Sequence, residues 1–222
     1  MNRLAASSWL FSLASVWLSL GVVVGFDVSP SASDVGAALD RIAARPGAHV
    51  VELLLDTMSG LSLVVAAVPI HRVLGRLKPA GVMTGATLIA ASGLLQAAHN
   101  MENLALTQIS SAYVATSGSE RQAWLITGEA AILTARWGVS IFSATLLVGV
   151  LILAQVVWER TRARALGAAG MVTTVVGLVA VVVTRISADY ESVGYALVVP
   201  FLAWQIWFGI WLWRSSGGPR PS

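Results

Sequence analysis

Residues 47–78 read GAHVVELLLDTMSGLSLVVAAVPIHRVLGRLK, and this stretch decides the fold. Its first turns carry His49, Glu52 and Asp56; an apolar run then continues to Ile70 and closes on His71, Arg72, Arg76 and Lys78. A bilayer hydrocarbon core of ~30 Å accommodates roughly 20 apolar residues of helix. Residues 47–70 therefore predict a transmembrane helix with acidic groups at its head and a basic loop at its foot.

The rest of the chain repeats this design. Of 222 residues, 56% are hydrophobic and only 11% charged, which excludes an ordinary soluble domain. Apolar spans at about 5–26, 47–70, 80–109, 123–158, 165–184 and 193–213 predict an all-α, polytopic membrane helix bundle of about six transmembrane helices in a single domain, 1–222. The first run, Ala5 to Phe26, is longer than a signal-peptide core, and no A-x-A site follows it in Phe26-Asp27-Val28-Ser29-Pro30. It reads as a retained span. Within it Ser8, Ser12, Ser15 and Ser19 recur at helical spacing, a seam against which a neighbouring helix can pack closely. The polar segment 27–46 is expected to carry a short surface helix. The stretch 123–158 exceeds one span, so its first turns are expected at the interface or in a tilted helix.

Charge orients the bundle. Arg3, Arg72, Arg76, Lys78, Arg160, Arg162, Arg164, Arg214 and Arg220 fall at one end, against Arg41, Arg45, Arg121 and Arg185 at the other. The positive-inside rule then predicts both termini in the cytoplasm and a multi-pass protein of the bacterial inner (plasma) membrane. Trp9, Trp158, Trp211 and Trp213 are expected towards the cytoplasmic interface, and the Trp204, Trp207, Trp211 stripe reads as lipid-facing or core packing. The net charge of +3 resides in short loops, which offer no basic, aromatic-interleaved surface for nucleic acid. The absence of cysteine excludes disulfides and thiolate metal sites.

Candidate chemistry lies in three polar stripes. His49, Glu52 and Asp56 share one face of the second span; Ser92, Gln96, His99, Asn100, Asn103 and Thr107 form a stripe on the third; Glu129, Arg136, Ser140 and Ser143 share a face of the fourth. All are richest at the non-cytoplasmic ends of their helices. They are expected to converge on a polar cavity in the outer half of the bundle, lined by His49, Glu52, Asp56, Gln96, His99, Asn103, Glu129 and Arg136. Because ionisable groups in lipid cost ~2.5–3.5 kcal/mol each, these carboxylates need partners, and Arg136 is the natural cation for Glu129, Glu52 or Asp56. A satisfied network that fixes helix order is the simplest reading of the set.

Three functional readings stand beside it. Zinc or iron at His49, Glu52 and His99 would suit a metal-dependent intramembrane hydrolase, although no H-x-x-x-H or H-E-x-x-H pair is present. Haem b held by His49 and His99 would make a redox protein. Transport or sensing would use Glu52, Asp56 or Glu129 for protons or a cationic solute, but neither an internal repeat nor paired broken helices support alternating access. No catalytic residue is assigned and no cofactor is predicted.

Three segments carry a family resemblance: Ala43-Ala44-Arg45-Pro46-Gly47 entering the span with Glu52 and Asp56, Arg164-Ala165-Leu166-Gly167-Ala168-Ala169-Gly170 opening the fifth, and Val199-Pro200-Phe201-Leu202-Ala203-Trp204-Gln205-Ile206-Trp207 in the last. Together the chain resembles a family of functionally uncharacterised bacterial integral membrane proteins of similar length. That resemblance implies a membrane bundle and assigns no reaction; where the family often has a charged pair in the third span, this chain has Gln96 and His99. The expected role is that of a non-enzymatic module in the lipid bilayer that binds a small solute, a lipid or a membrane-protein partner.

Overall fold

The computed structural model describes residues 2–28, 34–186 and 191–215, and those residues form eight helices. They are α1 (Asn2–Phe26), α2 (Val35–Ala44), α3 (Pro46–Leu74), α4 (Pro79–Asn103), α5 (Ala105–Ala115), α6 (Gly118–Arg160), α7 (Arg164–Ile186) and α8 (Glu191–Arg214). Local chemistry sets their starts. Pro46 and Pro79 occupy first-turn positions of α3 and α4, where a missing N–H costs nothing. Asp34 caps α2 by accepting from the Ala37 N–H at 2.9 Å. At the head of α6, Gly118 adopts φ +62, a left-handed conformation that only glycine takes freely.

Among the described residues, five helical stretches are long and apolar enough to cross a membrane: Arg3–Phe26, Pro46–Leu74, Pro79–Ala115, Gly118–Arg160 and Arg164–Arg185. The protein is therefore a multi-span membrane protein. Leu18, Val24, Val65, Val68, Leu94, Ile141, Val172 and Val182 point out of the bundle, as side chains solvated by lipid do.

The long helices pack in a closed ring, α1 to α3, α3 to α4, α4 to α6, α6 to α7, α7 to α8, and α8 back to α1. Small residues bring neighbours together. Ser12, Ser15 and Ser19 are buried against α3, with Ser12 and Ser59 hydroxyls 2.9 Å apart, as the serine spacing predicts. Where α3 crosses α4, Gly60 and Gly93 lie backbone to backbone.

One half of the ring is dry. At the end bearing Arg72, Arg76 and Lys78, the core combines Trp9, Ile70, Leu74, Ile89, Leu153, Phe208 and Leu212 from five helices. Trp9 meets Phe208 edge-on at 5.3 Å, and Trp204 stacks on Phe208 at 5.1 Å. Each buried indole finds a carbonyl on another helix: Trp9 Nε1 donates to Gln205 O at 3.0 Å and Trp204 Nε1 to Leu166 O at 2.8 Å. Trp9 thus belongs to the core and not to the interface, because a partner acceptor is available inside. Glu159, the acidic residue of this basic end, pairs with Lys78 at 3.1 Å.

The opposite, acidic end carries a second apolar cluster. With 43 residues α6 extends to ~65 Å, about twice a bilayer core. Its opening turns leave the ring and pack with α2 and α5 through Leu39, Ile42, Leu106, Ile109, Tyr113 and Ile132. The segment 27–46 does carry its short helix, and this helix joins a cap instead of lying free. Arg121 lies over the Tyr113 ring at 4.3 Å and 3.8 Å from Asp40, while Arg41 reaches Asp27 at 3.6 Å. α4 ends at Asn103 and α5 resumes after Leu104, so residue 109, the foreseen limit of the third span, lies inside the cap.

Candidate functional site

Between the dry core and the cap lies a layer of buried polar side chains. His49, Gln96, His99 and Asn100 are all buried there, and the contact of Gly60 with Gly93 fixes their relative depth. Counting outward along the antiparallel pair places Leu53 level with Asn100 and His49 level with Leu104, at the joint of α4 and α5.

On α3, His49 is only 1% exposed. Its Nδ1 stands 3.4 Å from Glu52 Oε2 without hydrogen-bond alignment, and its Nε2 has no hydrogen-bonding partner among the described residues. Glu52 and Asp56 are half-buried one turn apart. Asp56 has Ser19 of α1 beside its carboxyl and Glu52 as the charge acting on it. The α1–α3 seam thus supplies a polar wall as well as packing.

On α4, Gln96 sits behind the glycine crossing; a Cβ added to Gly60 would come within 3.3 Å of its Cβ. His99 turns to α6, where its imidazole occupies the space that a Gly138 side chain would take. Its ring lies 5.8 Å from Phe142, and Nε2 is 2.9 Å from Asn103 Nδ2, the amide donating to the imidazole. Ser92 Oγ donates to Phe142 O at 2.7 Å and ties the same two helices. Glu52 and Glu102 are the carboxylates whose charge reaches His99.

The fourth-span residues divide. Arg136 is half-buried and turns to α7, donating to Thr184 O at 3.3 Å. Glu129 is exposed and lies nine residues, ~14 Å, beyond the level of Gly138 on the part of α6 that meets the cap. The expected convergence of all eight residues is therefore corrected: His49, Glu52, Asp56, Gln96, His99 and Asn103 share the α3–α4 layer, whereas Arg136 faces α7 and Glu129 stands apart. The helical spacing of Glu129 and Arg136 holds, but α6 borders the polar layer over only part of its length.

His49, Glu52 and His99 do not assemble as a ligand set; among the described residues no three of His, Asp and Glu converge on a metal position. His49 and His99 are offset by about five residues, ~7.5 Å, along the helix axes. His99 Nε2 is engaged by Asn103, which leaves it poorly disposed as an axial haem ligand.

Other groups in this layer are as informative as the foreseen ones. Asn100 Nδ2 and Thr107 Oγ1 are buried and, like His49 Nε2, have no hydrogen-bonding partner among the described residues. Asn100 and Thr107 lie in the polar stripe legible on the third span. Gly138, which admits His99, carries no comparable signal beyond being a glycine in mid-helix.

The family model for DUF4386, a domain of unknown function, matches residues 7–214. The chain belongs to that family. The DUF4386 match runs from α1 to the end of α8 and so takes in the ring, the cap and the polar layer. No curated protein and no solved structure matches this DUF4386 chain.

Proposed function

We propose that this protein is a non-enzymatic binding module of the inner membrane, holding a small polar solute in the layer between the dry core and the cap. The observation that carries the reading is the set of buried polar atoms without a hydrogen-bonding partner among the described residues: His49 Nε2, Asn100 Nδ2 and Thr107 Oγ1. Burying such a group unpaired costs ~1–3 kcal/mol, and folded proteins avoid that cost with ordered water or a ligand. Three such atoms, on α3, α4 and α5, make a wet interior that a small solute can enter by replacing water. A lipid would be served by an apolar interior, which lies at the other end of the ring. The positive-inside rule turns the basic end to the cytoplasm and places the polar layer in the outer half of the bundle, beneath the cap.

Because the chain has no cysteine, single cysteines report water directly. Asn100→Cys and Gln96→Cys are expected to react with a small, water-soluble thiol reagent supplied from the outer side, and Leu94→Cys, which points out of the bundle, is expected to stay unlabelled. Equal protection of all three positions would refute the wet interior.

A further inference from the structure

On the basis of that solute-binding reading, we infer that Glu52 and Asp56 are the recognition groups of the site and that its ligand carries a primary ammonium group. Two carboxylates one helical turn apart face the same layer, and among the described residues neither has a lysine or arginine within ion-pair distance. The charge acting on Asp56 is that of Glu52, and the neutral neighbour is Ser19. His49 is the ionisable partner that Glu52 does have, at 3.4 Å and out of hydrogen-bond alignment. Carboxylates held in a membrane domain require a counter-charge, and the described protein does not supply one here.

The buried imidazole selects the kind of cation. His49 is 1% exposed, and neither ring nitrogen has a hydrogen-bonding partner among the described residues, although Nδ1 lies beside the Glu52 carboxylate. A neutral imidazole offers one lone pair and one N–H. Calcium and magnesium take six or more oxygen ligands and would leave that nitrogen unused; transition metals would use it, but no third ligand is present among the described residues. A primary ammonium has three N–H donors and no acceptor. It can bridge Glu52 and Asp56, whose β-carbons at i, i+4 spacing are ~6 Å apart. A second donor of the same ligand, or a water bound to it, reaches His49 one turn further out. Ser19 supplies a hydroxyl acceptor from the α1 wall. The layer is bounded by the close Gly60–Gly93 crossing on one side and the packed cap on the other, which favours a small amine.

The test uses the full chain in lipid nanodiscs near neutral pH at constant ionic strength, with methylammonium as probe. Calorimetry is expected to give saturable binding that Glu52→Gln and Asp56→Asn each weaken by at least about tenfold. Glu120→Gln, at the exposed start of α6, is expected to bind as the parent does. Tetramethylammonium, equally charged but without N–H donors, is expected not to compete. Methylammonium is also expected to slow the labelling of Asn100→Cys, a readout with both carboxylates intact that does not depend on the neutral variants folding.

Unchanged affinity in both neutral variants, or full competition by tetramethylammonium, would overturn the assignment. So would the absence of methylammonium binding, the result expected if the two carboxylates neutralise themselves by sharing a proton. The solute-binding reading is judged separately: labelling of Asn100→Cys without methylammonium binding removes the ammonium assignment alone, and protection of that cysteine from every reagent removes both.

Discussion

Replacing Gly60 by alanine puts a methyl group into the closest approach in the ring. On the present backbone its Cβ would lie 2.5 Å from Gly93 O and 3.3 Å from Gln96 Cβ, whereas ordinary contact begins at 3.4 Å. Relief requires α3 and α4 to separate locally by about 0.9 Å, the difference between 3.4 and 2.5 Å. The obstructing atom is a main-chain carbonyl, so no rotamer change can move it, and the cost falls at the upper end of the ~1–3 kcal/mol for overpacking. Alanine returns up to ~1 kcal/mol through its greater helix propensity. The net expected loss is about 2 kcal/mol.

Gly21→Ala isolates the propensity effect, because nothing lies within 4 Å of a Cβ added there; it is expected to gain up to ~1 kcal/mol. The two variants should therefore differ by about 3 kcal/mol in reversible unfolding in mixed micelles, followed by tryptophan fluorescence. Gly60→Ala as stable as Gly21→Ala would refute the direct backbone crossing. Combining Gly60→Ala with Gly93→Ala should cost less than the sum of the single losses, since one separation of the helices relieves both contacts.

Trp9→Phe and Trp204→Phe each remove an indole donor from a buried inter-helix bond. Each is expected to lose at least ~1 kcal/mol in the same unfolding assay, and no loss in either would argue against these ties. Gly138→Ala intrudes on the His99 ring and is expected to break its 2.9 Å bond with Asn103. Imidazole nitrogen chemical shifts in the variant should match those of Asn103→Ala; parent-like shifts would show that His99 does not depend on this gap.

Much of the fold is legible because bilayer physics writes it into short windows of sequence. The alternation of apolar runs with basic or acidic loops, the serine spacing of α1 and the excess length of α6 each follow from a local pattern. The site is legible only where one helix suffices. His49, Glu52 and Asp56 keep the shared face that their spacing requires, and Gln96, His99 and Asn103 likewise lie together on α4. What fails is inference between helices. Arg136 has the same spacing whether it turns to α3 or to α7, and the choice rests on the Thr184 carbonyl, 48 residues away. Glu129 stands apart from the layer because hydropathy marks where α6 is apolar, while the neighbours of α6 change along its length from ring to cap. The fit of His99 depends on a missing side chain at Gly138, which no spacing rule detects. Trp9 looks interfacial until Gln205, 196 residues distant, provides its acceptor.

That last separation has a kinetic meaning. The ring is a sequence of neighbours except at one seam, where the helix by which the chain enters meets the helix by which it leaves. Every other join can form between helices close in sequence, but Trp9 must wait for Gln205, and Leu10 for Gly209. Long-range closure of this kind is slow relative to local pairing. An assembly intermediate is therefore expected as an open arc, with the inner face of α1 still turned to lipid, and a membrane chaperone would find its binding surface there.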